Sequence, residues 1–388
     1  MRLIDPNEPG SGASRGNAGV ISPFSIVPQG TPGLWRQVAG WMLRTDAPLN
    51  VPLRRWASVA PWGLRLLAEG REGRVRCISQ AMEALCAPSI DLYRTHLAGT
   101  GHEHLVRDSC YVHVFRRADD ARLDDLSYRL RVEAGARIER GSGDALGEIE
   151  PALAPLYGAA ILTHGQVRAV SPGGIARALA DKSRGMGATF TRAAVRRLAS
   201  DAGEWTLDTD AGPIWATEVV VAANVRSADL LRPLCLRLPL MAERGYHVEF
   251  EGTAARLENS VMDMDLKAVA SSMEGGLRLA GTSELLPAEH PPTPRRVALL
   301  ERQARMIVPA REHAPTPRSW MGVRPSFPDS LPALGPVAGH PGLHAAFGHS
   351  HYGLMMAPQS GRIVADAIAG GRSNHDIGPF DPRRFSVR

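Results

Sequence analysis

The chain has 388 residues, 44% hydrophobic and 22% charged, the balance of an ordinary soluble globular protein with a sizeable core in one large domain or two. Its net charge of +5 rests almost wholly on arginine, with lysine only at Lys182 and Lys267, and no segment concentrates the charge or interleaves it with aromatics, so nucleic acid is set aside as a partner. The cysteines, Cys77, Cys86, Cys110 and Cys235, form no Cys-x-x-Cys pair or zinc spacing, which reads as a reduced, cytosolic setting; no signal peptide and no apolar run near ~20 residues is found.

Arg2–Asp5 reads as a very short strand, followed at once by proline and glycine. The stretch Gly10 to Gly19 is not a dinucleotide fingerprint. Gly10, Gly12 and Gly16 have the wrong spacing, and no apolar helix follows. Residues 33–68 carry Trp35, Trp41, Trp56 and Trp62 among Arg36, Arg44, Arg54, Arg55 and Arg65. Helices packed on the core with outward arginines are the favoured reading, and a membrane-surface patch is the other. Ile78–Leu97 reads as one helix, Tyr111–Phe115 as a strand and Leu123–Ala134 as a helix closed by Gly135. Gly141-Ser142-Gly143 reads as a turn.

Ala160–Leu162 is a strand leading to Ser171-Pro172, where Ser171 is placed to cap a helix running to about Gly187. Thr189–Leu198 reads as a further strand. Residues 204–210 and 213–217 flank Ala211-Gly212 as a hairpin, and the β-branched run of Glu218–Ala223 reads as a buried strand. Residues 231–330 are β-rich, with strands at His247–Phe250 and Leu277–Ala280 and a helix at Val297–Ile307 between proline-rich loops at 291–294 and 315–317. His344–Phe347 is a strand, Gly348 a turn, and Pro358 sits where a first helical turn tolerates proline. Ile363, Val364, Ala367 and Ile368 continue that helix to Gly370-Gly371. Small residues before its N-terminus expose backbone N–H groups to an electron-rich ligand. The residues alone leave this equally open as an ordinary strand–helix turn. No serine–histidine–acid spacing points to a hydrolase, no close carboxylate pair to a glycosidase, and no histidine pair to a metal.

Gly348-His349-Ser350-His351-Tyr352-Gly353 with Ala357-Pro358, Gly361-Arg362 and Val364-Ala365-Asp366 resembles the closing motif of the FAD-dependent D-amino-acid oxidase and dehydrogenase superfamily. Gly322-Val323-Arg324-Pro325 with Pro328-Asp329-Ser330 resembles its substrate-arginine segment. Glu150-Pro151, Arg244-Gly245-Tyr246-His247 and Ala280-Gly281-Thr282 match in order. The resemblance covers nearly the whole chain and is closest to the bacterial D-amino-acid dehydrogenases.

It implies an α/β fold (α+β overall), with a Rossmann-like FAD-binding domain, N-terminally incomplete, and an antiparallel β-sheet substrate domain. The first would take residues 1–75, 145–230 and 331–388, and the second 76–144 and 231–330. Asp5 would meet the adenosine ribose, Ser14 and Asn17 the pyrophosphate and flavin, Val195 the adenine, and Gly348, His349, Gly353 and Leu354 the flavin ring. Arg324 would hold the substrate carboxylate in its planar fork. Tyr246 and His247 would line the substrate, and His351 would orient the amine or stabilise the reduced flavin. The implied reaction passes a hydride from the substrate Cα to flavin N5, giving an imino acid and then a 2-oxo acid and ammonia. A quinone, or after it oxygen, would take the electrons, in the cytoplasm or at the inner-membrane surface.

Three departures accompany the resemblance. About thirty residues that would hold the first strand and the glycine-rich pyrophosphate turn do not precede Arg2. Asn224-Val225-Arg226-Ser227 stands where relatives carry Gly-Ala-Trp-Ser, and Met355 stands for a threonine. The alternatives kept open are a related amine substrate (glycine, sarcosine, hydroxyproline) and a truncated, flavin-free relative.

Overall fold

Alternation decides the largest element. In the strand Met241–Glu251, Tyr246, Val248 and Phe250 bury into one core, while Glu243, His247 and Glu249 lie on the other face. The computed structural model describes all residues except 43, 45, 154, 202, 310–316, 372–375 and 386–388. Around this strand runs a ten-stranded mixed sheet in the order Arg318–Ser326, Met241–Glu251, Gly276–Glu284, Ala268–Met273, Ser260–Asp263, Val106–Phe115, Ala159–Ala169, Val20–Ile21. Leu49–Asn50 pairs with Gly276–Glu284, and Ile138–Ser142 with Ala159–Ala169. The helix Pro294–Ile307 covers one face through Leu300, Ala304 and Ile307. The sheet draws Val20–Ile21, Leu49–Asn50 and Ala159–Ala169 from stretches expected to belong to the cofactor domain.

Smaller sheets complete the α/β fold. Arg2–Asp5 runs parallel to Thr189–Arg192, and Val219–Val221 runs parallel to Leu343–Phe347. The hairpin of Glu204–Thr209 and Gly212–Ala216 forms as expected, joined by Val195–Asp201. A second core gathers Trp205, Val221, Leu231, Leu343 and Phe347. No helix among the described residues is long and apolar enough to cross a membrane.

Several expected elements are corrected. Ile78–Leu97 is two helices, Glu72–Cys86 and Ser89–Leu97, because Pro88 between them has no N–H to continue the first. Gly141-Ser142-Gly143 ends a strand and starts the helix Gly143–Ile149, with the Ser142 Oγ accepting from the Ala145 N–H at 3.3 Å. Thr189–Leu198 divides at Ala193-Ala194 between two sheets. Val219 and Val221 are buried, but Val220 is 41% exposed, so that run is covered on one face only. Ser171 occupies the N-cap position before Pro172, but its hydroxyl makes no capping bond. The tryptophan–arginine segment behaves as core-packed helix at Val59 and Trp62, whose Nε1–H donates to the Ser326 carbonyl at 3.2 Å. Leu34–Met42 instead buries no residue, and Trp35 is 58% exposed. The proline-rich loop at 315–317 lies mostly outside the described residues.

The closing helix spans Gly353–Ile368, which puts Pro358 in its second turn rather than its first. Proline there leaves the Leu354 carbonyl without its intrahelical donor. The Tyr93 hydroxyl supplies the replacement at 2.8 Å, from the neighbouring helix. Tyr93→Phe is therefore expected to cost about 1–2 kcal/mol in denaturant unfolding. In a Pro358→Ala background, where the backbone N–H returns, the same change should cost less than half as much; equal costs in both backgrounds would show that the hydroxyl does not replace the missing donor.

Candidate active site

The register of two strands sets the geometry. Glu243 lies opposite Arg324, Gly245 opposite Gly322, and His247 opposite Trp320. A Cβ on Gly245 would fall 2.3 Å from the Arg324 guanidinium, so the fork lies across bare backbone that only glycine provides. Arg324 Nη1 donates to Glu243 Oε1 at 3.4 Å and to the Ser283 Oγ at 3.2 Å.

Glu243 is 5% exposed and is the centre of the site. Its Oε1 also accepts from the Ser283 hydroxyl at 2.6 Å and His351 Nε2–H at 2.6 Å, and its Oε2 from the Ser326 hydroxyl at 2.9 Å and Gln29 Nε2 at 3.2 Å. Burial alone would raise its carboxyl. The His351 imidazole, the Arg324 guanidinium and the Ser283 hydroxyl outweigh burial and hold it well below the usual carboxylate range. Sequence reasoning does not reach this residue, which adjoins the matched Arg244–His247 segment but becomes visible only with the strand register.

Ser283 reaches Glu243 through a β-bulge. Gly245 pairs with Ser283 and Tyr246 with Gly281, leaving Thr282 as the extra residue at φ +49°. A β-branched residue at positive φ is strained. The Thr282 Oγ1 accepts from Arg296 Nη1 at 3.1 Å, which ties the bulge to the covering helix.

The closing turn is stitched to the arginine strand. The Ser350 N–H donates to the Pro325 carbonyl at 3.1 Å, and Ser326 bridges to His349. Gly348 has φ +86°, and a Cβ there would meet the Phe327 ring at 2.2 Å. His349 is half-buried with its Nε2 3.0 Å from the Ser360 Oγ, and desolvation lowers its pKa to about 4, so it is neutral at pH 7. Beyond the turn, the Gly353 and Leu354 N–H groups begin a helix with no acid in its first turn and no side-chain cap. The Ser350 Oγ is buried without a partner. Free N–H groups at a helix start and an orphaned hydroxyl fit the electron-rich pyrimidine edge of a flavin.

The other expected residues fall into separate groups. His247 shares the face of Arg324, stacks on Trp320 with centroids 5.2 Å apart, and has Nδ1 3.2 Å from the Gly16 carbonyl. Burial, then the Arg278 charge, lowers its pKa to about 3. Arg278 Nη1 donates to the carbonyls of Arg15 at 3.0 Å and Asn17 at 2.7 Å, so these two residues anchor the loop that carries exposed Ser14. Asn17 Oδ1 accepts from the Gly19 N–H at 2.8 Å. Asp5 ends the first strand, exposed, with Oδ1 accepting from the Asn7 N–H at 2.7 Å, and half-buried Val195 begins the strand just beyond Asp5's partner Arg192. Tyr246 points away from Arg324. Its hydroxyl donates to Glu284 Oε2 at 2.9 Å beneath the covering helix, as alternation from His247 requires. The structure therefore brings Arg324 and His351 together, with His349, Gly348, Gly353 and Leu354 alongside, and leaves Tyr246 on the opposite face.

Glu243→Gln keeps the shape and removes the charge. It should cost about 2–4 kcal/mol, because Arg324 and His351 lose their common anion. A carboxyl held below its unfolded value of 4.5 stabilises the fold above that value and loses the effect as pH falls toward the folded value. The stability gap between wild type and variant should shrink as pH falls below about 5, as read by urea unfolding across pH. A gap that widens in acid would contradict this.

Residues 1–367 match the FAD dependent oxidoreductase (DAO) family. The chain is 32% identical over 392 aligned positions to a D-amino-acid oxidase of Bradyrhizobium diazoefficiens, covering 99% of this chain and 93% of that one. It is 30% identical over 381 positions to a D-amino acid dehydrogenase of Paramagnetospirillum magneticum, covering 95% and 89%. Glycine oxidase from Geobacillus kaustophilus superposes with a TM-score of 0.74 at 23% identity, over 100% of this chain and 92% of that one, which is a likeness of fold. The chain is thus a member of the FAD-dependent oxidoreductase family, and FAD is its cofactor.

Proposed function

We propose that this oxidoreductase oxidises D-amino acids to 2-oxo acids and ammonia by way of the imino acid. The observation that carries the reading is Arg324, held open over Gly245 beside the flavin turn. Its bonds to Glu243 and Ser283 both leave from Nη1, so the rest of the fork is free to take a substrate carboxylate. Its side chain keeps 28% of its surface accessible, and that of His351 keeps 36%. His351 engages Glu243 through Nε2, which leaves Nδ1 as the ring nitrogen available to the substrate amine. FAD, when bound, takes the Cα hydrogen as hydride. Gly348, His349, Gly353 and Leu354 would hold the flavin; Ser14, Asn17, Asp5 and Val195 would hold the rest of the cofactor.

In the same reading, residues 1–75, 145–230 and 331–388 serve the cofactor, and 76–144 and 231–330 the substrate. Relatives named as dehydrogenases support a quinone as electron acceptor, and a relative named as an oxidase supports oxygen. Exposed Trp35, Leu53, Trp56 and Leu64 beside exposed Arg36, Arg54 and Arg65 support a peripheral contact with an anionic membrane from the cytoplasmic side.

The test is the visible spectrum of the FAD-loaded protein under anaerobic conditions. D-amino acids should bleach the ~450 nm flavin band, and their L-enantiomers should not. Arg324→Lys should raise KM for the D-amino acid by about 10–100-fold, since a point charge replaces a two-pronged contact, and Arg324→Met should lose more. Bleaching by L-enantiomers alone, or an unchanged KM in Arg324→Met, would overturn the reading.

A further inference from the structure

Cys110 lies away from the site described above. Its strand, Val106–Phe115, is four strands from Met241–Glu251 in the sheet order, and its side chain packs against the core that Tyr246, Val248 and Phe250 enter, on the face opposite Arg324. A bulge decides its neighbours. Ser109 pairs with Gln166 and Tyr111 with Thr163, so Cys110 alone stands opposite two residues, His164 and Gly165. Gly165 takes φ +68°, and the His164 N–H donates to the Arg137 carbonyl at 3.0 Å. Alternation along Ala159–Ala169 puts His164 on the same face as Leu162, whose cross-strand partner is Glu139. The Cys110 N–H donates to Asn259 Oδ1 at 2.6 Å, and Asn259 Nδ2 donates to the buried Glu150 carboxylate at 2.9 Å, which fixes the backbone that carries the thiol.

Three side chains meet in a row as a result. Cys110 Sγ lies 3.4 Å from His164 Nδ1, and His164 Nε2 lies 3.3 Å from Glu139 Oε1. A nucleophile, a base in contact with it and an acid behind the base is the arrangement that activates a thiol. His164 Nε2 is buried and makes no hydrogen bond of its own. The carboxylate beside it favours a proton there, which leaves the Nδ1 lone pair facing the thiol. Desolvation, and then the Glu139 charge, raises the Cys110 thiol above its ordinary value, with Arg137 opposing and Glu150 adding to the rise. The sulfur therefore keeps its proton at rest near neutral pH. Little thiolate forms unaided, but a base in contact can take the proton as the sulfur attacks. The other thiols have no such base. Cys77 and Cys235 are exposed without a hydrogen-bond partner among the described residues, and Cys86 is buried against the Ser25 carbonyl.

We propose that Cys110 is a peroxide-reactive thiol, oxidised to its sulfenic acid with His164 as base and Glu139 as the residue that positions the imidazole. In the step, His164 Nδ1 takes the thiol proton while the sulfur attacks one oxygen of hydrogen peroxide. An S–O bond forms, the O–O bond breaks, and the departing hydroxide takes the proton back from the imidazolium and leaves as water. Sulfur is oxidised by two electrons and the peroxide is reduced by two. Glu139 stabilises the transient imidazolium. A half-buried thiol suits an oxidant of this size better than a bulky electrophile. Where oxygen takes the electrons of the reduced flavin, hydrogen peroxide is the product, so the protein's own turnover then makes the oxidant. Only that source rests on the oxygen-acceptor reading above; the thiol chemistry does not.

The experiment treats the FAD-loaded protein, without substrate, with hydrogen peroxide at pH 7, traps sulfenic acid with a 1,3-dione and counts the label at each cysteine by mass spectrometry. In wild type, Cys110 should label faster than exposed Cys77 and Cys235 by about tenfold or more, as a base in contact gives. His164→Gln should slow Cys110 by at least about tenfold and leave Cys77 and Cys235 unchanged. Its remaining rate should fall about tenfold per pH unit from about pH 8 to 6, as free thiolate does, while wild type falls less steeply because His164 carries the proton. Glu139→Gln should slow Cys110 about threefold or more, and Glu139→Asp should recover part of the loss. Cys110 labelling no faster than Cys77 and Cys235 in wild type, or an unchanged Cys110 rate in His164→Gln, would overturn the proposal. If His164→Gln does not fold, the wild-type ranking and the two variants at exposed Glu139 decide.

Discussion

One buried carboxylate holds the site together. Glu243 takes hydrogen bonds from Gln29, Ser283, Arg324, Ser326 and His351, which come from an N-terminal loop, two strands of the sheet and the closing turn. An ionised group this deep is tolerated only when its acceptor sites are filled and opposite charge stands nearby. The requirement runs both ways. Glu243 needs its donors, and each donor segment is located by needing Glu243. Arg324 and His351, far apart in the chain, acquire a fixed relation through an atom they share, Oε1. Any shift of the closing turn relative to the arginine strand would break the 2.6 Å bond to His351 and leave charge unpaired inside the protein.

That arrangement needs local irregularity in an otherwise regular sheet. An unbulged ladder would set Thr282 opposite Gly245 and turn Ser283 to the covered face. The extra residue at Thr282 brings Ser283 to the carboxylate, at the cost of a β-branched residue with positive φ. Gly245 makes the complementary concession, giving up a side chain so that a guanidinium can lie on its backbone. Strain and lost side-chain burial are thus concentrated within a few residues of Arg324, where the surrounding core, from Val248 to Leu300, is large enough to offset them.

What the sequence discloses follows from how local each feature is. The closing turn and Gly322–Pro325 are short and contiguous, so their residues are legible one by one. Glu243 depends on which strand lies beside which and on a bulge in a third, and neither is written in a local pattern. Adjacency alone does place Tyr246 and His247 on opposite faces, so only one of them can share a side with Arg324. Pro88 is a helix breaker by the ordinary rule, and it divides what apolar spacing presents as one helix. Pro358 does not end its helix, because Tyr93 supplies a donor from elsewhere in the chain. Val220 belongs to an apolar run that looks buried throughout, yet strand alternation leaves its side chain in contact with solvent.

The charges on this face of the sheet show a consistent choice. His113, His247 and His349 are all held neutral, in each case chiefly by burial, so none adds positive charge near neutral pH. The guanidinium of Arg324 remains, and arginine does not lose its proton in the working range of an enzyme. Recognition of a carboxylate here accordingly rests on permanent charge with directional N–H groups, while a neutral imidazole at His349 can serve the flavin turn without repelling it. Arg324 is tied to an internal anion, which fixes its orientation before any ligand comes and weakens its pull on a lone carboxylate. Selectivity at this site therefore rests on the position and direction of its N–H groups more than on net electrostatic attraction.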